Sequence, residues 1–303
     1  MKSLVSVCIP TYNHALVLDD ALRSAMEQTY GNLEILVLDN DSTDDTATVV
    51  TAASARDARV RYLRHSENIG MVHNFSACVE QAKGQYVKFV CADDALEPEC
   101  VERMVQVMSA HPEVSLVACA RQLVDRNLRP HRAARYSRRF VLADGATVVR
   151  RCFFFGNLIG EPTAVMFRRA DAVRGFDDGY RQLMDLEMWL RLLKRGAFAF
   201  LPDPLCKVRR HAKQITLENV KSGIVLSDKR RLFHALHAEV EGKASFREKA
   251  FWDGRMAVTV CRTRNAGYEV RPEGVAEVFF PRLFPGLTYP LASALWRLFG
   301  RES

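Results

Sequence analysis

The feature that most constrains the fold of this chain is a regular alternation of short apolar segments with amphipathic segments between residue 1 and about residue 120. The apolar segments read LVSVCIP, LEILVLD, QYVKFVCA and VSLVACA, and segments with helical spacing, such as LDDALRSAMEQ, separate them. Strands that alternate with amphipathic helices are typical of βαβ units. We therefore predict an α/β fold with a Rossmann-like, mostly parallel central sheet flanked by helices. Ligands of such sheets bind at the carboxyl ends of the strands.

The rest of the chain changes character twice. Residues 121–139 hold seven arginines and a single acid, which indicates a hairpin and a mobile loop. We then expect a helix near 144–155, a strand in TAVMF, a helix in DLEMWLRLLKRG, and two strands in FAFLP and LCKVRR. Beyond about residue 217 the pattern is mostly helical. These patterns predict an α/β domain over 1–215 and a mainly helical C-terminal subdomain over 216–303.

Composition excludes several classes of protein. With 48% hydrophobic and 26% charged residues among 303, the chain is neither low-complexity nor disordered in bulk. The net charge of +7 suits anionic partners such as nucleotide phosphates, a membrane surface or nucleic acid, and does not choose among them. Eight cysteines without a CxxC pair argue against zinc-finger and thioredoxin sites and favour reduced thiols in a cytoplasmic protein. The apolar segment before Pro10 is too short for a signal sequence or a membrane span.

The loops that follow the predicted strands carry acids rather than glycines. The first strand ends in PTYN, with no GxGxxG or GxxxxGK[ST] motif after it, which argues against dinucleotide-dependent oxidoreductases and P-loop proteins. Three acidic groups stand at strand or helix ends instead: Asp39-Asn40-Asp41 with Asp44 and Asp45, Asp93-Asp94, and Asp185 with Glu187. Helix capping is the plain alternative for several of them. Asp39 ends an apolar strand at the ligand edge, where its carboxylate could accept a hydrogen bond from a base or a sugar.

Two of these groups suggest particular chemistry. Asp93 and Asp94 end a predicted central strand, and because adjacent carboxylates repel, a bound Mn²⁺ or Mg²⁺ that bridges a diphosphate would neutralise them. The alternative is a turn or an N-cap before the helix near Pro98. Asp185 begins a helix far along the chain, and a carboxylate in that place could serve as a general base.

Seven blocks of the sequence resemble, in order, the motifs of family-two inverting glycosyltransferases, whose fold is called GT-A. The blocks are VSVCIPTYN, LVLDNDSTDDT, ENIGMVHNFS, FVCADDALEP, GEPTAVMFRR, MDLEMWLRL and VRRHAKQIT. The resemblance covers roughly residues 3–215. It implies that 1–215 is a catalytic domain, with a nucleotide-sugar half over about 1–120 and an acceptor half over about 121–215.

The resemblance also implies residue roles. Asp93 and Asp94, with His211, look like the metal motif, and Asp93 also contacts the donor. Family members often carry an acid where this chain has Cys91. The implied nucleotide-sugar contacts are Pro10, Thr11, Tyr12, Asn13, Asp39, Asn68, Gly70 and Asp93.

Asp185 matches the family's general base, and the Glu that precedes this Asp in the family is Met184 here. Glu187 and Trp189 would contact the acceptor, although a core tryptophan is equally plausible. Arg209 and Arg210 would neutralise the departing diphosphate, or else form a solvated end of a basic strand.

The implied activity is transfer of a sugar, with inversion, from a nucleotide-diphosphate sugar to a hydroxyl of a saccharide or lipid-linked saccharide. A UDP-sugar is favoured as donor, and a divalent metal (Mn²⁺ or Mg²⁺) as cofactor. The family suggests surface polysaccharide or lipopolysaccharide synthesis in the cytoplasm or peripherally on the cytoplasmic membrane face. Nucleic acid is not expected, because the arginines lack interleaved aromatic residues. The alternatives are a degenerate nucleotide-sugar-binding protein and, less favoured, a nucleotidylyltransferase, which would carry a GxGxRL-type loop in place of PTYNHA.

Overall fold

The computed structural model describes residues 3–210, 219 and 222–265. These residues form two compact units. The first unit takes in the described residues of 1–149, 158–178 and 185–211, and the second takes in those of 150–157, 179–184 and 212–303. No helix among the described residues is long and apolar enough to cross a bilayer.

The first unit is built on a ten-stranded mixed sheet with helices packed against it. Its strands are β1 (Val5–Thr11), β2 (Leu33–Asp39), β3 (Val60–Arg64), β4 (Tyr86–Phe89), β5 (Ala95–Leu96), β6 (Val114–Val124), β7 (Pro130–Ala134), β8 (Val141–Ala143), β9 (Val165–Arg168) and β10 (Ala197–Arg209). Along the sheet the order is β3-β2-β1-β4-β9-β6-β10-β5, with β7 paired to β6 and β8 paired to β10. The predicted α/β fold is thus confirmed, but the sheet is mixed and not mostly parallel as expected.

The helices follow the expected alternation. They are α1 (Ala15–Met26), α2 (Thr46–Arg56), α3 (Met71–Gln81), α4 (Cys100–Ala110), α5 (Gly145–Phe155), α6 (Met184–Leu193), α7 (Ile224–Glu241) and α8 (Phe246–Asn265). Short 3₁₀ turns precede and follow β9, at Pro162–Ala164 and Arg169–Ala172.

Parallel and antiparallel ladders divide the sheet. Strands β3, β2, β1 and β4 are parallel, as the βαβ pattern predicts, and β10 runs parallel to β6. Strand β9 lies between β4 and β6 and is antiparallel to both. Consequently β4, β6 and β10 run in one direction, and their carboxyl ends lie at the same sheet edge as the start of β9. Every residue of β1 and β2 is buried, which explains their continuous apolar character.

Two expectations about the later strands differ in detail. FAFLP and LCKVRR form one strand, β10, because register shifts around Pro204 let the chain stay paired with β6 through that irregularity. The arginine-rich segment does form a hairpin, in which β7 pairs with the last residues of β6.

The second unit includes 150–157 and 179–184, which the sequence pattern had grouped with the α/β domain. Aromatic packing explains part of this difference, because the Phe153 ring stacks on Trp252 of α8 with centroids 4.5 Å apart. Within this unit the Asp228 carboxylate accepts hydrogen bonds from three successive backbone N–H groups, at Arg181 (3.0 Å), Gln182 (2.6 Å) and Leu183 (2.9 Å). Asp228 thereby orders the segment that leads into α6.

Candidate active site

The loops after β1 and β2 are joined by side-chain hydrogen bonds. Asn13, which adopts a left-handed backbone conformation with φ of 55°, donates its N–H to Ser42 Oγ at 2.9 Å. The Asn13 side-chain oxygen accepts from the Thr43 N–H at 2.8 Å. Tyr12 beside it is exposed, while Pro10 and Thr11 are buried at the end of the strand. The predicted nucleotide loop is therefore held in a defined shape, with Tyr12 open to solvent.

Asp39 is fully buried at the end of β2. Its Oδ1 accepts hydrogen bonds from the Ser42 N–H (2.9 Å) and hydroxyl (2.6 Å), and its Oδ2 accepts from the Tyr62 hydroxyl (2.6 Å). Burial, with Asp39 adding to it, raises the pKa of Tyr62 well above its usual value. Both carboxylate oxygens thus organise the loop, and direct contact with a base stays a prediction.

The expected residues Asn68 and Gly70 are linked to the β2 loop by Asn40, to which the sequence analysis assigned no role of its own. The Asn40 side chain donates to Asn68 Oδ1 and accepts from the Ile69 N–H, both at 2.9 Å. Asn68 Oδ1 also accepts from the Gly70 N–H at 2.9 Å. Gly70 has a φ of 85°, which L side chains rarely adopt. The signal that could have found Asn40 is its place directly after the apolar strand.

Asp94 is buried and its carboxylate is engaged on both sides. Thr163 donates its hydroxyl to one oxygen at 2.5 Å, and the Arg209 N–H donates to the other at 2.9 Å. Burial raises the pKa of Asp94 well above its ordinary value, and the neighbouring Asp93 and Glu161 charges add to this effect. Asp94 therefore ties the turn after β4 to the start of β9 and the end of β10.

The expected role of Arg209 is corrected. Its side chain is only 3% exposed and pairs with Asp20 at 2.9 Å. Its guanidinium also donates to the backbone carbonyls of Asp93, at 2.6 Å, and Arg126. Because these partners hold the group inside the protein, it supports the Asp93-Asp94 turn and presents no free charge to a diphosphate.

The residues around Asp93 suit a divalent cation that is shared with a ligand. Asp93 is half-buried in the turn after the central strand β4, and carboxylate oxygens suit Mn²⁺ and Mg²⁺. Within residues 3–210, 219 and 222–265, no three His, Cys, Asp or Glu side chains group to hold an ion alone. Such a site fits a cation that takes its other ligands from phosphate and water. The third expected ligand, His211, lies outside the described residues.

Asp185 is half-buried in the first turn of α6. One of its carboxylate oxygens accepts a hydrogen bond from the Leu186 N–H at 2.7 Å. Burial raises the pKa of Asp185 to about 7, and the charge of Glu161 adds to the shift. A carboxylate with such a pKa can take a proton near neutral pH.

Glu161 forms an ion-pair cluster that sequence reasoning missed. Its carboxylate pairs with Arg121 at 2.5 Å and with the partly exposed Arg210. Glu161 adds to the raised pKa values of both Asp94 and Asp185, which burial mainly causes, so it lies within electrostatic reach of both. The signal that could have found it is its place in the GEPT segment. Of the two expected arginines, therefore, Arg210 keeps an exposed face at the site.

The structure gives the two expected acceptor residues of α6, Trp189 and Glu187, partners within the protein, and for Trp189 it selects the alternative of a core tryptophan. Trp189 is fully buried and its indole N–H donates to the Gly160 carbonyl at 3.1 Å, so no ring face is open to a sugar. Both carboxylate oxygens of Glu187 are 2.9 Å from the guanidinium of Arg191, one helical turn away. These side chains stabilise α6 and its packing.

The sequence matches the description "Glycosyl transferase family 2" over residues 6–174, which is more than half of the chain. The chain belongs to glycosyltransferase family 2. The resemblance seen in its motifs is thus confirmed, and membership makes this protein a transferase enzyme that uses nucleotide-sugar donors.

Relatives and solved structures agree with this membership. A protein of Mycobacterium tuberculosis, MT1568, is 38% identical over 220 residues, covering 69% of this chain and 68% of its own length. A glycosyltransferase of Haemophilus influenzae is 25% identical over 217 residues, covering 70% of this chain and 67% of its own length.

Two solved structures share the fold at low identity. TarS 1–349 of S. aureus in complex with UDP-GlcNAc has a TM-score of 0.58 at 17% identity, over 91% of this chain and 83% of its own. The mannosyltransferase PcManGT of Pyrobaculum calidifontis, in complex with GDP-Man and Mn²⁺, has a TM-score of 0.54 at 16% identity, over 100% of this chain and 89% of its own. These likenesses support the α/β glycosyltransferase fold.

Proposed function

We propose that this glycosyltransferase transfers a sugar with inversion from a UDP-sugar, with the help of a divalent metal, to a hydroxyl of a saccharide or lipid-linked saccharide. The observation that carries the proposal is Asp185, a half-buried carboxylate with a pKa of about 7 that lies within electrostatic reach of Glu161. We assign residues 1–215 to the catalytic domain, with donor binding in about 1–120 and acceptor binding in about 121–215.

In this proposal Asp185 acts as the general base. Its carboxylate takes the proton of the acceptor hydroxyl as the hydroxyl oxygen forms a bond to the anomeric carbon. The bond from that carbon to the diphosphate oxygen breaks at the same time, and the diphosphate leaves with the electron pair. Attack from the face opposite the leaving group inverts the anomeric centre, so an α-linked donor gives a β-linked product.

The leaving diphosphate needs positive charge close to it. Asp93 would hold a divalent cation, which when bound stabilises the charge that develops on the diphosphate. Asp94 and Arg209 keep the Asp93 turn in place through the bonds described above. Arg210, 43% exposed, offers a guanidinium at the end of the same strand. Glu161 orients that guanidinium.

The acceptor and the cellular setting form the next part of the proposal. We place the enzyme in surface polysaccharide or lipopolysaccharide synthesis, in the cytoplasm or peripherally on the cytoplasmic face of the membrane. Family membership and the unusual arginine content of 121–139 support this assignment. One structural neighbour was solved in complex with UDP-GlcNAc and another in complex with GDP-Man. A test of donor binding therefore includes both UDP-sugars and GDP-sugars.

A binding protein without transfer activity is the second candidate. Cys91 and Met184 occupy positions at which relatives often carry acids, and the structure buries Met184. Neither change removes Asp185 or Asp93, so the enzymatic proposal is favoured.

The experiment that tests the proposal measures thermal stability and product formation together. Purified protein is heated with UDP-, GDP- and dTDP-sugars, each with Mn²⁺ and with a chelator. Ligand at about a hundred times its Kd stabilises the native state by about 2.7 kcal/mol, so a metal-dependent rise in Tm identifies the donor. Asp93→Asn should abolish that rise, whereas Asp203→Asn, an exposed acid that pairs with Arg103, should keep it. Absence of any shift in the wild-type protein would contradict the donor assignment.

Transfer itself is tested by Asp185→Asn. This variant should keep the metal-dependent Tm rise with the donor and lose product formation. A wild-type protein that binds the donor without transferring its sugar to any saccharide or lipid-linked acceptor would favour the binding protein.

A further inference from the structure

Six arginines between the end of β6 and the start of β8 form what we call the arginine surface: Arg126, Arg129, Arg132, Arg135, Arg138 and Arg139. All six are exposed. Asp125, the acid of this segment, turns its carboxylate to backbone N–H groups, at Asn127 (2.8 Å) and Arg129 (2.9 Å). Within the part of the chain that the structure describes, none of the six guanidinium groups lies within ion-pair distance of a carboxylate.

The lack of carboxylate partners at six neighbouring positions sets the arginine surface apart from most other exposed arginines of the same unit. Most exposed arginines elsewhere in the described part of this unit are paired, for example Arg56 with Asp19 at 3.3 Å and Arg64 with Asp41 at 2.6 Å. Because six neighbouring guanidinium groups are left without a carboxylate within one short segment of the described chain, this surface is suited to a partner that brings many negative charges.

Exposed apolar side chains follow the arginines directly. Phe140 is 47% exposed and Leu142 is 44% exposed. Tyr136, in the middle of the segment, packs its ring on Phe198 and Phe200 of β10, with centroids 5.2 and 5.8 Å away. The segment is therefore attached to the sheet through β7 and Tyr136, while its guanidinium groups and the large apolar side chains that follow them face solvent.

Guanidinium groups together with exposed aromatic and aliphatic side chains match the boundary of an anionic bilayer, where phosphates and acyl chains meet. A nucleic acid would supply phosphates and would leave Phe140 and Leu142 without a matched environment. We infer that the arginine surface docks this protein on a bilayer of anionic phospholipids.

The structure also connects this surface to the active site. Arg209 donates to the backbone carbonyl of Arg126, and the Arg210 N–H donates to the Val124 carbonyl at 2.9 Å. The turn of the hairpin thus adjoins the strand end that carries Arg210. Docking would bring this edge to the bilayer, and the inference rests on the proposed function in that it explains access to a lipid-linked acceptor.

The test is sedimentation of the full chain with vesicles, without donor or acceptor. Vesicles of phosphatidylcholine alone are compared with vesicles that also contain phosphatidylglycerol. The wild-type protein should prefer the anionic vesicles, and added salt should weaken binding. The variant R135Q/R138Q/R139Q should lose about tenfold or more in affinity. The control R56Q/R103Q/R174Q has the same net charge and should stay within about twofold of wild type.

A second variant tests the apolar component. F140S/L142S should also weaken binding to anionic vesicles, with the dependence on salt unchanged, because the arginines are retained. Unchanged affinity in R135Q/R138Q/R139Q, equal loss in its control, or no preference for anionic vesicles in wild type would each overturn the inference. Tighter binding of wild type to single-stranded RNA than to vesicles, lost in R135Q/R138Q/R139Q, would overturn it in favour of nucleic acid.

Donor binding of the same variants separates this inference from the proposed function. R135Q/R138Q/R139Q should show the wild-type Tm rise with nucleotide-sugar and metal. If the wild-type protein sediments with anionic vesicles and shows no Tm rise with any donor, the docking surface stands and the proposed donor fails. The opposite result, a donor-dependent Tm rise without vesicle binding, overturns the docking surface alone.

Discussion

The burial of Asp185 has two opposite effects, one on the stability of the protein and one on the proposed chemistry. Its burial raises the pKa to about 7, which costs stability whenever the group is ionised, and the same shift prepares it to accept a proton near neutral pH. Glu161 adds to the shift while Arg121 opposes it. The local environment therefore sets the strength of the proposed base.

The rate of transfer should depend on pH through Asp185. Below a pH of about 7 the carboxyl is protonated and cannot accept the acceptor proton, so kcat/KM should rise about tenfold per pH unit and level off above pH 7. Initial rates across a pH series measure this. Glu161→Gln should move the midpoint of the rise to lower pH, because it removes a nearby negative charge. A profile that stays flat between pH 5 and pH 8 contradicts the assignment of Asp185 as base.

Asp185→Asn should stabilise the protein at high pH while it removes activity. The folded state holds the Asp185 proton up to a pH of about 7, whereas the unfolded chain releases it near 3.8. As pH rises through this window the native state binds more protons than the unfolded state, so the free energy of unfolding falls. The variant avoids a loss on the order of 2–4 kcal/mol. Urea unfolding at pH 8 and pH 4 tests this, and a variant less stable than wild type at pH 8 contradicts it.

Lys88 is a fully buried lysine of β4, the strand that leads into the Asp93-Asp94 turn. Its side-chain nitrogen donates to the backbone carbonyl of Thr163, whose hydroxyl donates to Asp94 and accepts from the Cys91 N–H. Lysine is rarely buried completely, because removing its amino group from water costs free energy of folding. An apolar side chain at this position would avoid that cost.

Lys88→Met should lower metal-dependent donor affinity about tenfold and lower the free energy of unfolding by about 1–3 kcal/mol, because the Thr163 carbonyl loses its buried hydrogen-bond donor. Calorimetric titration with the donor and Mn²⁺, alongside thermal unfolding, measures both. Thr163→Val, which removes the hydroxyl held by Asp94, serves as the matched variant and should show the same loss of affinity. Wild-type affinity in Lys88→Met would show that the lysine does not position this turn.

At the scale of elements, Asp44 joins the starts of two helices. Its carboxylate accepts from the Ala15 N–H at the first residue of α1 (3.0 Å) and from the N–H (3.1 Å) and hydroxyl (2.6 Å) of Thr46 at the first residue of α2. Although partial burial opposes them, these hydrogen bonds lower the pKa of Asp44. One side chain thus fixes the loops after β1 and β2 relative to each other.

Asp44→Ala should reduce the free energy of unfolding by about 1–2 kcal/mol, because two helix starts lose a cap. It should also weaken donor binding, since the Asn13 and Ser42 loops lose their common support. Its exposed neighbour supplies the control: Asp45 makes no capping hydrogen bond through its side chain, so Asp45→Ala should change stability by less than about 0.5 kcal/mol. Equal effects of the two substitutions in urea unfolding would contradict the bridging role.

At the scale of the whole molecule, donor binding should protect the first unit selectively. The proposed donor contacts lie at the carboxyl ends of β1, β2 and β10 and in the loops after β1, β2, β3 and β4, all in the first unit, whereas α7 and α8 belong to the second unit. Hydrogen exchange with nucleotide-sugar and Mn²⁺ should slow about tenfold or more in 10–14, 39–45, 68–70 and 91–94, with α7 and α8 unchanged. Equal protection of both units, or protection of α7 and α8 alone, would contradict this placement of the donor site.

The expected strands and helices of the α/β domain were largely predictable from the sequence, because hydrophobic periodicity is a property of neighbouring residues. The ends of β1, β2 and β4 could be located in this way, and with them the loops that hold Asn13, Asp39 and Asp93. The antiparallel direction of β9 could not be predicted, because the apolar segment TAVMF indicates a strand and carries no information about its direction in the sheet. The family motifs supplied the role expected of Asp185.

Contacts between distant parts of the chain decided the rest. Arg209 and Asp94 are 115 residues apart in the chain, and the Arg209 N–H donates a hydrogen bond to the Asp94 carboxylate. No local sequence pattern shows that these two residues meet in the interior and support the turn after β4. Trp189 looks the same in sequence whether it faces a sugar or the core, and only packing around Gly160 selects the core. The sequence alone thus determined the fold class, the family and the positions of the acids, because these follow from local periodicity and motif order. The tertiary structure decided which charges are buried, paired or open, because desolvation and hydrogen bonding depend on residues that the chain brings together only when it folds.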